Sequence, residues 1–215
     1  HLKFPWKAAF APTATAAAPF TTTDGSMVSP NVMHQESTFA YVDDGQAQIV
    51  ALPLAGGELT VLVALPHGDL ATYEAALSAG SAALTVPARS ADVVLSLPKF
   101  DFTSPSFSLG DALKAMKMTD AFDKSLADFT PMCPNPPDGA RLFVSDVIQK
   151  ATLAVQETGV EAAAATAVIL GGTDAILEPT PMVVNRPFVV SIVDAPTGAL
   201  LFLGHIDDPT VGGSP

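Results

Sequence analysis

The sequence predicts an α+β fold, rich in strands and sparing in helices. Two neighbouring runs carry most of this expectation. Gln46–Leu54 (QAQIVALPL) and Glu58–Pro66 (ELTVLVALP) are dense in aliphatic and β-branched residues, and Ala55-Gly56-Gly57 between them suits a hairpin turn. A third run, Asp92–Phe102 (DVVLSLPKFDF), also reads as a strand, whereas only two short segments carry a helical stripe.

In chain order, Thr13–Phe20 is rich in Ala, Thr and Pro and reads as a loop. Phe20–His34 has few apolar positions and ends in Val32-Met33-His34. Glu58–Pro66 is continuously apolar, which suits a strand covered on both faces. Asp69–Ala79 reads as a short helix, with Leu70, Tyr73 and Leu77 on one face. Ser108–Met116 reads as a second helix. Ser108 is positioned to cap it, Asp111 favours its first turn, and Leu109, Leu113 and Met116 form its stripe. Met116 and Met118 are expected in the core.

One stretch resists such a reading. Gln156–Leu177 is QETGVEAAAATAVILGGTDAIL. Its alanines favour helix, its Thr166–Leu170 portion favours strand, and the following Glu178-Pro179-Thr180-Pro181 suits an exposed loop. As a strand, it would place Val160, Ala162, Ala164, Thr166, Val168 and Leu170 on one uncharged, buriable face. Glu161, Ala163, Ala165, Ala167 and Ile169 would take the other. Small side chains lose little rotamer entropy on burial, so such a segment is able to join a sheet late.

Composition narrows the function. The chain has 215 residues, 48% apolar and 15% charged, so a single domain (1–215) with a sizeable core is expected rather than disorder. A net charge of −12 argues against nucleic acid, heparin-like polyanions and anionic membranes as partners. No apolar run approaches the roughly 18 residues of a transmembrane helix. Cys133, the single cysteine, sits in a Pro-rich stretch and is expected to be a partly exposed thiol. The chain opens at His1 without a methionine and without a visible signal peptide. A mature terminus, a trimmed product and a proteolytic fragment all stay open.

No catalytic constellation stands out. G-x-S-x-G, H-E-x-x-H and P-loop patterns are missing, and neither a metal site nor a cofactor is expected. His1, His34, His67 and His205 read as terminal, packed or exposed histidines, and Asp207-Asp208 as a solvated turn. The chain is not expected to be an enzyme.

The ambiguous stretch resembles the hinge and reactive-centre loop of the serpins, whose pattern is roughly E-x-G-[small]-E-A-A-A-A-T. Here Glu157, Gly159, Val160, Glu161, Ala162, Ala163, Ala164, Ala165 and Thr166 match it, with Val160 where threonine is common. Leu2–Phe10 (LKFPWKAAF) resembles F-K-G-x-W-x-x-x-F, which ends the third strand of the family's large central sheet. It departs at Pro5, where Gly is usual, and a proline marks a strand's end. Asp92–Phe102 is similar to the V-x-L-P-K-F run at that sheet's edge. Val183–Asp194 and Leu200–Pro209 resemble the closing N-[KR]-P-F and L-F-x-G-x-x-x-x-P strands, with Pro196-Thr197-Gly198 as their turn. Gln149 stands where the family's "shutter" has a histidine, and an amide is able to bridge there too.

The resemblance implies a serpin-like multi-sheet fold, of which this chain is the β-rich carboxy-terminal half. An amino-terminal half then lies outside this sequence, or the molecule is truncated. A lone half would expose sheet edges and aggregate, so it is not expected to inhibit by itself. The resemblance further implies a secreted suicide-substrate inhibitor of serine or cysteine endopeptidases, with a reactive loop at about 157–182. Its loop entrance, the "breach", would comprise Trp6, Lys99 and Glu157. Family spacing from Glu157 puts the scissile bond at Thr173–Asp174, and spacing back from Asn185-Arg186-Pro187-Phe188 puts it at Ile176–Leu177. With no Arg or Lys between Glu157 and Met182, elastase-, chymotrypsin- or subtilisin-like targets are favoured over trypsin-like ones. Apart from the Glu161 of the pattern itself, the hinge is free of bulky, charged or proline residues from Gly159 to Thr166, unlike that of a non-inhibitory serpin. A non-inhibitory serpin and a β-rich binding protein are the alternatives, and a stable protease adduct separates the first reading from both.

Overall fold

The computed structural model describes residues 4–134, 141–160 and 178–211. It resolves into two compact units, one formed by residues 1–102 with 153–215, the other by residues 103–152.

The first unit is built around an eight-stranded sheet. From one edge its strands run Thr180–Val183, Ser90–Pro98, Asn31–Asp43, Ala47–Pro53, Leu59–Pro66, Phe188–Asp194 and Leu200–Ile206, with Ala16–Ala17 paired onto Asn31–Asp43. All the described pairings are antiparallel except that of Thr180–Val183 with Ser90–Pro98. The expected hairpin is present: Gly56 and Gly57 turn it at φ of 99° and 80°, values that a side chain opposes. Leu59–Pro66 is buried on both faces, as its continuous apolarity predicts. Val61, Val63 and Leu65 join the main core, while Leu62 and Ala64 pack on the opposite side. Helix Leu70–Ser78 covers part of that side through Tyr73, Leu70 and Leu77. The Asp69 carboxylate caps it, accepting from the Thr72 amide at 2.8 Å.

Three expectations about strands need correction. Asn31–Asp43 is a 13-residue strand whose start lies in the Phe20–His34 region, where the sequence shows few apolar positions before Val32-Met33. Its polar middle, Gln35-Glu36-Ser37-Thr38, hides it, and pairing with Ser90–Pro98 supplies what side-chain burial does not. The run Asp92–Phe102 is two strands in two sheets, Ser90–Pro98 and Phe100–Thr103. The change falls at Lys99, whose amide makes the last bond to the Asn31 carbonyl (2.8 Å), after Pro98 has removed a donor from the ladder. The Pro-rich stretch expected as a loop contributes strand Thr180–Val183. Pro181 is tolerated there because the strand lies at the sheet's edge.

A second sheet orders as Phe4–Pro5, Gly159–Val160, Thr152–Gln156 and Phe100–Thr103. The first of these strands ends at Pro5, as the proline predicts. The main core includes Trp6, Phe10, Phe100, Val155, Val160 and Phe188, with Phe100 and Phe188 edge-to-face at 5.8 Å.

The second unit holds helix Gly110–Ala115 and a two-residue ladder between Phe107–Ser108 and Ile148–Gln149. Ser108 is not the cap residue but supports the helix start, accepting from the Gly110 amide at 3.1 Å and donating to Asp146. Met116 and Met118 are not core residues: they are 77% and 50% exposed. The helix stops at Ala115, and Lys117 turns the chain at φ 73°, so both methionines fall beyond the stripe. Cys133 is a half-buried free thiol in a turn.

Candidate functional site

The site forms where the chain's first strand meets its 156–160 segment. Trp6 is the anchor. Its ring is buried and packs edge-to-face on Phe10 at 6.2 Å. Its amide donates to the Thr158 carbonyl (3.0 Å), its indole Nε1 donates to the Gln156 carbonyl (2.8 Å), and the Phe10 amide donates to the Glu157 carbonyl (2.9 Å). The turn after strand Thr152–Gln156 is therefore gripped at three successive carbonyls. On its other side, the first strand is fixed to the central hairpin by a bridge from Trp6 to Leu54 and by the Ala55 amide donating to the Pro5 carbonyl at 2.8 Å.

The Glu157 carboxylate sits beside this anchor. Lys99 Nζ lies 2.8 Å from Oε2 and 3.1 Å from Oε1, and Thr15 Oγ1 donates to Oε1 at 3.0 Å. The Glu157 side chain is only 13% exposed and that of Lys99 32%, so this is not a solvated surface pair. Burial pushes the Glu157 carboxyl up, but bonds from Lys99, its own amide and Thr15 outweigh that and hold it below its ordinary value of 4.5.

Beyond Glu157 the chain enters the second sheet. Gly159 and Val160 lie between two strands, pairing antiparallel with Phe4–Pro5 on one side and with Val155–Gln156 on the other. Gly159 has φ 141°, and a Cβ there would meet the Phe4 carbonyl oxygen and Pro5 Cα at 2.5 Å and the Trp6 nitrogen at 2.7 Å. Only glycine fits this place. Val160 is buried in the main core.

The structure thus brings Trp6, Lys99, Glu157, Gly159 and Val160 together. Thr15 is an addition that the sequence did not signal, since it lies in an Ala/Thr/Pro-rich stretch 142 positions away from its partner. Gln149 is elsewhere, exposed and paired through its backbone to Phe107 in the second unit, and its side-chain amide makes no bond among the described residues. Glu161, Ala162, Ala163, Ala164, Ala165 and Thr166, and both scissile pairs, Thr173–Asp174 and Ile176–Leu177, lie outside the described residues.

The remaining titratable groups are scattered. His34 contacts Ser96 Oγ (2.9 Å), His67 contacts Asp43 (2.8 Å) and His205 contacts Glu74 (2.7 Å). Asp208 accepts from the Thr210 amide, as a turn carboxylate does, whereas Asp207 accepts from the amide and hydroxyl of the distant Thr23 and is not simply a solvated turn residue. Among the described residues, no three His, Cys, Asp or Glu side chains converge on a point that would hold a metal.

The family model described as Serpin (serine protease inhibitor) matches residues 1–209. The chain belongs to the serpin family. An uncharacterized serpin-like protein of Thermococcus kodakarensis is 34% identical over 216 residues, covering 99% of this chain and 49% of that protein. Human antithrombin-III is 32% identical, over 98% of this chain and 46% of that protein. Among solved structures, that of thyroxine-binding globulin in complex with thyroxine aligns with TM-score 0.74 and 26% identity, over 98% of this chain and 55% of that one. This serpin chain spans about half the length of the curated relatives it matches.

Within the serpin chain, the Glu157 pair has a defined pH signature. A carboxyl held lower in the folded state than in the unfolded one adds stability that is complete above its unfolded value of 4.5 and lost as pH falls through its folded value. Between pH 7 and 5.5 the contribution is constant. Below 4.5 it declines, and the Glu157→Gln variant lacks this share of the acid sensitivity. Denaturant unfolding of both proteins across pH 3–7 checks this: the stability gap narrows as pH falls.

Proposed function

We propose that this serpin chain carries the bait loop and insertion site of a suicide-substrate inhibitor of serine or cysteine endopeptidases. One observation supports this above the others. Gly159 and Val160 already occupy a strand position between Phe4–Pro5 and Thr152–Gln156, so the alanine-rich tract that follows has a strand to extend.

In this reading the endopeptidase attacks the scissile carbonyl and forms an acyl-enzyme. Cleavage frees the segment from Glu161 onward, which runs on from Val160 into the sheet. Each added residue gains ladder hydrogen bonds and each inward side chain gains burial. The uncut form is metastable and held by a kinetic barrier, and loop insertion is the switch. The breach residues Trp6, Lys99, Glu157 and Thr15 hold the entrance in register. The bond is Thr173–Asp174 or Ile176–Leu177. The lack of Arg and Lys from Thr158 to Pro181 favours endopeptidases that accept small or apolar residues.

The natively produced protein, incubated with subtilisin or elastase, is expected to give an SDS-resistant adduct and to release a carboxy-terminal fragment. The fragment's mass identifies the bond. Complete cleavage with no adduct would overturn inhibition and favour a non-inhibitory serpin.

A further inference from the structure

Thr180–Val183, the strand into which the loop leads, is weakly held by its own ladder. It is four residues long, lies at the sheet's edge, pairs among the described residues only with Ser90–Pro98, and carries Pro181, which has no amide to donate. Met182 is fully buried, but its neighbours Pro181 and Val183 are exposed. One further tie reaches this strand from a part of the sheet with which it does not pair. Gln48, on strand Ala47–Pro53, donates from Nε2 to the Pro181 carbonyl at 3.2 Å and to the Tyr41 hydroxyl at 2.8 Å. Tyr41 is itself buried in the main core, so its hydroxyl is a fixed point. The two protons of one amide group are thereby divided between a rigid acceptor and the edge strand.

We infer that Gln48, oriented by Tyr41, is a positioning residue that pins the carboxy-terminal root of the loop to the central hairpin. The inference rests on the proposed inhibitor reading for its purpose, but not for its test. Insertion of an uncut loop requires Thr180–Val183 to peel from Ser90–Pro98, because the segment is continuous. The Gln48 tie opposes that peeling without touching the segment that a protease would recognise.

The experiment is hydrogen exchange on the unreacted protein, with no protease present. Gln48→Glu keeps the side chain's size but removes the donor. It is expected to speed exchange at the Met182 and Val184 amides, which face Ser90–Pro98, roughly two- to tenfold, while the Leu62–Leu65 amides of the central hairpin are unchanged. Tyr41→Phe, which leaves the amide unoriented, is expected to fall between the two. Unchanged exchange at Met182 and Val184 in Gln48→Glu, or an equal rise in the central hairpin, overturns the inference. Failure to form a protease adduct would sink the inhibitor reading and leave this result standing.

Discussion

Gly159→Ala is expected to destabilise the protein by on the order of 3 kcal/mol and to drive residues 159–160 out of the sheet. Two effects act together. The backbone at φ 141° is one that an L side chain resists, and the added methyl would sit 2.5 Å from two atoms of the neighbouring strand. Those atoms belong to backbone that cannot step aside, because Pro5 and Trp6 are hydrogen-bonded on both sides. The strain is relieved only by moving the strand itself. Val160 would leave the core with it, and its amide would lose protection against exchange. Denaturant unfolding and hydrogen exchange at Val160 read the two consequences separately. A variant as stable as the parent, with Val160 still protected, would show that Gly159 is not confined between strands.

Glu157→Lys is expected to cost about 2–3 kcal/mol and to raise the amount of oligomer formed on heating. Two unit charges about 4 Å apart at an effective dielectric near 20 interact by about 4 kcal/mol. Lys99 is one-third exposed, so solvent screening trims that figure. The substitution exchanges an attraction for a repulsion and leaves the Thr15 hydroxyl without its acceptor. Opening the entrance exposes the edges of Phe4–Pro5 and Thr152–Gln156, which invite strands from another copy. Native gels of heated protein report this. The reversed pair, Glu157→Lys with Lys99→Glu, is expected to recover most of the loss, since the attraction returns with its sign exchanged. Oligomer no greater than in the parent would count against the Lys99–Glu157 pair holding these strands together.

Several features of this site were readable from the chain because they are local. The Glu157-Thr158-Gly159-Val160 run singled out the segment that pairs with Phe4–Pro5, and Pro5 marked the end of the first strand. The central hairpin was legible for the same reason: its signal is a continuous apolar run and a glycine turn. Asn31–Asp43 was hidden because long-range pairing, not its own side chains, makes it a strand. The break at Lys99 was hidden because V-x-L-P-K-F looks uniform while the chain changes sheets within it. Met116 and Met118 misled because a helical stripe was extended past the point where Lys117 reverses the backbone. Thr15 had no signal, since nothing in a Thr between alanines names a carboxylate far along the chain.

The bond from the Trp6 indole to the Gln156 carbonyl spans 150 positions. On a ribosome adding about 5–20 residues per second, Trp6 emerges roughly eight to thirty seconds before its acceptor. In that interval its available neighbours are Leu54 and the nascent hairpin around Ala55, to which the first strand is joined in the finished molecule. The indole N–H is then a vacant socket beside the hairpin, and a segment made later plugs into it. The turn at Gln156 is thus seated after its receptacle has been made.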